Sequence, residues 1–92
     1  MQTEFDPGKD AINQQKHGVS LALASQIDWF EAVCFVDDRN DYDEVREIGL
    51  VVIEQRLYVV VFVQRGEDTM RIISLRKATK REVKQYEQSI QH

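Results

Sequence analysis

Three short groupings in this 92-residue chain combine side chains able to move protons or hold phosphate. The first is Lys16-His17-Gly18. Histidine is the side chain whose ordinary titration lies near neutral pH, so it can give or take a proton. The adjacent lysine offers a cation for phosphate, although both residues would also suit the negative end of a helix dipole. The second is Arg71-Ile-Ile-Ser-Leu-Arg76. Strand alternation predicts Arg71, Ile73 and Leu75 on one face and Ile72, Ser74 and Arg76 on the other. Arginine grips phosphate through two parallel hydrogen bonds and suits a crowded negative transition state. A salt bridge from Arg71 to Glu44 or Glu54 is the structural alternative. The third is Glu44-Val45-Arg46, where alternation sends both charges the same way. They could serve as a base and its phosphate anchor, or as a solvated strand face.

Other chemistries fail on spacing. Cys34 is the one cysteine and sits in the apolar stretch Ala32–Val36, which predicts a buried, inert thiol. One cysteine and two distant histidines match no zinc pattern, so no metal or cofactor is expected. Asp37, Asp38, Asp41, Asp43 and Glu44 crowd a loop, but the sixth position from Asp37 is Tyr42 and the twelfth is Ile48. A calcium loop of the EF-hand type needs glycine and glutamate there. Neither a phosphate-binding glycine loop nor a G-x-S-x-G elbow is present.

The elements that must position these groups can be read from local signals. Asp6-Pro7 predicts a helix start, and Gly18 after His17 a helix end. Ser20 predicts the cap of a second short helix, Leu21 to about Asp28. Ala32–Val36 is β-branched and aromatic, a short strand. Strands are then expected over Val45–Ile53, Leu57–Gln64 and Met70–Leu75, with Arg65-Gly66-Glu67-Asp68 as a hairpin turn. Thr79 with Glu82 fits a capping box at the start of a last helix, whose inner stripe is Val83, Tyr86 and Ile90. The expected fold is a single α+β domain over residues 1–92: a four-stranded antiparallel sheet with two N-terminal helices and one C-terminal helix.

Net charge is −4, unpromising for a nucleic-acid binder until its distribution is considered. Residues 1–45 hold three Lys/Arg against ten Asp/Glu, whereas residues 46–86 hold nine against five. Local field, not the total, governs binding of a polyanion. Arg65, Arg71, Arg76, Lys77, Lys80, Arg81 and Lys84 form the basic group. The opening Met1–Asp6 has no basic or apolar leader character, and the longest apolar run, Leu57–Val63, is far below the ~20 residues that cross a bilayer. A soluble, cytoplasmic protein with no membrane contact is expected.

Taken in order, these groupings resemble one family. Phe5-Asp-Pro-Gly-Lys9, Asn13 and Lys16-His-Gly-Val-Ser20 look like the opening signature of BrnT toxins. Phe35 and Asp37, then Glu44-x-Arg46 and Gly49, resemble its middle. Arg65, the block Arg71-Ile-Ile-Ser-x-Arg-Lys-Ala-Thr-Lys-Arg-Glu82 and Tyr86 resemble its end. The family usually carries tryptophan where Phe5 stands and alanine where Leu75 stands. The resemblance implies a RelE-like fold and a metal-independent endoribonuclease that slows translation. It also implies a neutralising antitoxin with a ribbon-helix-helix domain, through which alone operator DNA would be bound. On matching positions the catalytic set would be Lys16, His17, Glu44, Arg46, Arg71 and Tyr86. Phosphate contacts would come from Arg65, Arg76, Lys77, Lys80 and Arg81.

The chemistry that fits is attack of an RNA 2′-OH on the adjacent phosphorus. It needs a base (Glu44 or His17), cations on the phosphate (Arg46, Arg65, Arg71) and an acid for the leaving 5′-oxygen (His17 or Tyr86). Two other readings compete: a catalytically silent module acting with its antitoxin as a transcriptional co-repressor, and a structural subunit. The latter should show a large exposed apolar patch and no basic cleft.

Overall fold

The computed structural model describes residues 1–38 and 44–90. Asp41 and Asp43 of the acidic segment lie outside the described residues. Elements follow the order β1 (Gln2–Glu4), α1 (Pro7–His17), a 3-10 helix (Leu21–Gln26), β2 (Val33–Val36), β3 (Glu47–Ile53), β4 (Arg56–Arg65), β5 (Thr69–Lys77) and α2 (Lys80–Ile90).

The strands form one sheet in the order β1-β5-β4-β3-β2. The run from β2 to β5 is an antiparallel meander, as short connections favour. The expected sheet of four antiparallel strands is corrected by β1, which adds a parallel fifth strand against β5 and makes the sheet mixed. Gln2-Thr-Glu4 has no apolar alternation to announce a strand. Its place comes from backbone pairing with Thr69–Arg71 and from the ion pair Glu4–Arg71, 2.7 Å, between residues in register. The second expected helix is a single 3-10 segment, ending at Gln26 rather than near Asp28.

Local chemistry explains the helix ends. The Asp6 carboxylate accepts from the Lys9 N–H at 3.0 Å, and Pro7 occupies the first turn, where its missing N–H costs nothing. Gly18 closes α1 at φ 70°, and its N–H donates to the Gln14 carbonyl at 2.8 Å. Asp10, on α1, accepts from the Leu21 N–H (2.7 Å), the Ser20 hydroxyl (3.1 Å) and the Gln14 side chain (3.0 Å). These bonds, the Leu21 N–H foremost, hold its carboxyl below the usual carboxylate range. They fasten α1 to the start of the 3-10 helix.

One face of the sheet carries the core. Leu21, Ala24 and Ile27 from the 3-10 region pack on Val51 and Ile53 of β3, Tyr58, Val60 and Phe62 of β4, and Met70, Ile72 and Leu75 of β5. Trp29 meets Phe62 edge to face with centroids 4.8 Å apart. Gly49 relieves a close approach here: a Cβ would lie 3.0 Å from Val60 Cγ1 and 3.3 Å from Cys34 Sγ, so those side chains would have to give way.

The border of the sheet is finished by a side chain. Beyond Arg71, β5 has no strand on its β1 side. There the buried Asn13 of α1 accepts from the Leu75 N–H at 3.1 Å and donates to the Leu75 carbonyl at 2.8 Å. The same amide donates to the Val19 carbonyl at 2.8 Å. Asn13 thus replaces a strand for one residue and ties α1, its exit and β5 together.

Candidate phosphate-binding groove

The placement of the site depends on one irregularity in β5. Val61 pairs with Ser74, but the next residue, Phe62, pairs with Ile72, leaving Ile73 as an extra residue. Such a bulge inverts the alternation beyond it. Leu75 therefore joins Met70 and Ile72 in the core rather than sharing a face with Arg71. Arg71, Ser74 and Arg76 stand opposite Val63, Val61 and Val59, all on the outer face. The expectation that Arg71 and Arg76 lie on opposite faces is corrected: the bulge brings them to the same one. A step of three between the polar positions Arg71 and Ser74, where regular alternation allows two, was the sequence signal for it.

That outer face floors a groove of about 430 Å³. Its base is apolar, from Val33, Phe35, Ile48, Leu50, Val59 and Val61. Its polar wall is His17 at the end of α1, Ser74 and Arg76 of β5, and Glu82, Gln85 and Ser89 of α2. A smaller recess of about 150 Å³ adjoins it, lined by Lys16, His17, Asn13 and Ser74 among others. His17 and Ser74 border both, so the Lys16-His17 pair faces the β5 bulge.

Arg76 is held by Glu82 through two bonds of 2.8 Å, one to each carboxylate oxygen. Glu82 also closes the capping box of α2: Oε1 accepts from the Thr79 N–H at 2.8 Å, and the Glu82 N–H donates to Thr79 Oγ1 at 3.2 Å. The Arg76 guanidinium, helped by the Thr79 N–H, brings the Glu82 carboxyl down to about 2. The helix that carries Glu82 buries none of its residues. Of its expected inner stripe, Val83 and Tyr86 are half-buried and Ile90 is exposed.

The remaining expected site residues are dispersed. Strand β3 begins at Glu47, so Glu44 and Arg46 precede it and are not set by its alternation. Glu44 pairs with Arg65 at 3.1 Å. Arg46 is half-buried, and its carbonyl accepts from the Asp37 N–H at 2.8 Å. Arg71 is engaged by Glu4, not by Glu44 or Glu54. Lys77, Lys80 and Arg81 are exposed around the start of α2. Tyr86 does not line the groove. Sequence reasoning passed over Ser74 as a wall residue and took Glu82 only as a helix cap; nothing in one sequence marks a cap that also reaches an arginine six residues back.

Cys34 is exposed, contrary to the expected buried thiol, because β2 is the edge strand. Its sulfur lies over Gly49, and partial burial, with the Glu47 charge, pushes the thiol upward and away from reactivity. Among the described residues no group of three or more His, Cys, Asp or Glu is arranged to hold a metal ion. No helix among them is long and apolar enough to cross a membrane.

Comparison with known proteins bears on this arrangement. A family model described as the ribonuclease toxin, BrnT, of type II toxin-antitoxin systems matches residues 5–82. The fold resembles the crystal structure of the Brucella abortus ribonuclease toxin BrnT, with a TM-score of 0.66 and 20% identity. That match covers 87% of this chain and 100% of the Brucella chain. No curated protein matches the sequence.

Proposed function

The chain belongs to the BrnT family of ribonuclease toxins of type II toxin–antitoxin systems, and from that membership we propose a metal-independent, RelE-like endoribonuclease that cuts RNA at the groove on the outer sheet face. The observation that carries the placement is the β5 bulge, which sets Ser74 and Arg76 on the face that His17 overlooks. A proton-transfer group and a bidentate phosphate ligand thereby share one cavity.

In the proposed reaction His17 takes the 2′-OH proton as O2′ attacks phosphorus. The bond from phosphorus to O5′ breaks, and O5′ takes the proton that the His17 imidazolium now carries. The products are a 2′,3′-cyclic phosphate and a 5′-hydroxyl. Arg76 neutralises the charge that grows on the phosphoryl oxygens, and Lys16 adds a second cation beside His17. Arg71, farther along the same face, contacts a neighbouring phosphate, with Lys77, Lys80 and Arg81 tracking the strand beyond. The pair Glu44–Arg65, with Arg46, belongs to the far end of β4 and extends the contact surface. Glu44 as base and Tyr86 as acid are less well supported, since neither lines the groove. DNA lacks the 2′-OH and should bind without being cut.

In the cell the reading extends to slowed translation, to neutralisation by an antitoxin with a ribbon-helix-helix domain, and to operator binding only through that partner. The test is RNA cleavage by the purified chain in EDTA beside His17→Ala, Arg76→Ala and Arg71→Ala. Cleavage should survive EDTA. It should fall at least about tenfold in the first two variants, a barrier rise of roughly 1.4 kcal/mol, and less in Arg71→Ala. Absence of cleavage on naked RNA and on translating ribosomes would favour the co-repressor reading.

A further inference from the structure

The two carboxylate oxygens of Glu82 sit on the two terminal nitrogens of Arg76, each at 2.8 Å, inside the groove that His17 and Ser74 line. This is the planar two-bond geometry in which a guanidinium receives a phosphate. We propose that Glu82 occupies the seat of an RNA phosphate on Arg76, so that RNA must displace this carboxylate to engage the groove and Glu82 thereby sets substrate affinity. The inference rests on the ribonuclease reading and adds to it a residue that works through Arg76 rather than on the substrate.

Three observations support exchange rather than permanent pairing. Helix α2, which carries Glu82, has no fully buried residue and only Val83 and Tyr86 half-buried on its apolar stripe, so modest apolar contact resists its movement. Its neighbours in the groove wall, Gln85 and Ser89, are polar and solvated on the same side. The pair itself is only partly shielded, with side-chain exposures of 36% for Arg76 and 24% for Glu82, which keeps its net strength modest. Glu82 remains ionised at any physiological pH, so competition by another anion, and not protonation, is what separates Glu82 from Arg76.

Glu82→Gln separates this role from a structural one. Glutamine keeps the capping-box hydrogen bond to the Thr79 N–H, because that position accepts Glu or Gln, while removing the charge that holds Arg76. Binding is measured with a 2′-O-methylated oligoribonucleotide, which cannot be cut. The variant should bind at least about threefold more tightly. The slope of log K against log salt should stay close to that of the wild type, because the Arg76–phosphate contact is made in both complexes and only the cost of displacing the carboxylate is removed. On cleavable RNA, KM should fall while kcat stays within about twofold. Arg76→Ala and the double variant Arg76→Ala/Glu82→Gln should bind alike, since the carboxylate then has nothing to withhold. Unchanged or weaker binding by a folded Glu82→Gln overturns the proposal and leaves the ribonuclease reading standing. Failure of both wild type and Glu82→Gln to bind the oligonucleotide overturns both.

Discussion

The Asn13 amide, buried and bonded at both its oxygen and its nitrogen, satisfies the main-chain donor and acceptor of a residue 62 positions away. Asn13→Ala leaves the Leu75 N–H and C=O without that partner in a dry setting, and each such orphan costs about 1–3 kcal/mol. Chemical denaturation of the variant should show a loss of about 2–4 kcal/mol with the slope unchanged. Asn13→Asp keeps the acceptor for the Leu75 N–H but loses both donated bonds, so it should not rescue. At this scale the sequence was readable where a residue acts on its near neighbours. Asp6, Gly18, Ser20 and Thr79 all cap as their types require. It was not readable where a partner is remote. The Arg71 carboxylate came from Glu4, and Asn13 was visible only as part of a family signature.

Two elements carry their own consequences. The turn between β3 and β4 is two residues long, Glu54 and Gln55, with φ of 51° and 66°. A tight hairpin demands positive φ at both positions, where residues with a Cβ are strained by about 1 kcal/mol or more each. Gln55→Gly should therefore raise the melting temperature by several degrees, corresponding to about 1 kcal/mol. Helix α2 is tied to β5 by the Arg76–Glu82 pair, and its attachment should depend on acid. The Glu82 carboxyl is lowered from 4.5 to about 2 in the folded chain. A lowered carboxylate stabilises the fold above its unfolded value and loses that contribution as protons bind. Signals of α2 in an acid titration should therefore change between about pH 4.5 and 2, and Glu82→Gln should remove that dependence. The bulge in β5 shows why alternation put Arg71 on the wrong face relative to Ser74 and Arg76: one inserted residue exchanges the faces of everything after it. The core requirement for Leu75 decided the outcome, and that requirement is tertiary.

Across the whole molecule, the division into an acidic front and a basic back is only partly a division in space. Glu4 and Glu44, from the front, reach Arg71 and Arg65 of the back, and Glu82 reaches Arg76. The basic surface is thus partly neutralised by the chain's own carboxylates before any RNA arrives. Fold class and the meander from β2 to β5 were legible because hydrophobic period and turn residues are local. The parallel strand β1 was not, because three polar residues owe their pairing to what stands beside them. The treatment of the β5 border has a consequence for how this protein behaves at high concentration. A sheet margin with open donors and acceptors is a template on which another molecule can lay a strand and start a fibril or a swapped dimer. Here β1 covers Thr69–Arg71 with a strand of only three residues and the Asn13 amide covers Leu75, so the open ladder on this border is confined to the short outer side of β1 and broken beyond it. Protection of this margin rests on one asparagine and on the shortness of a strand of three polar residues.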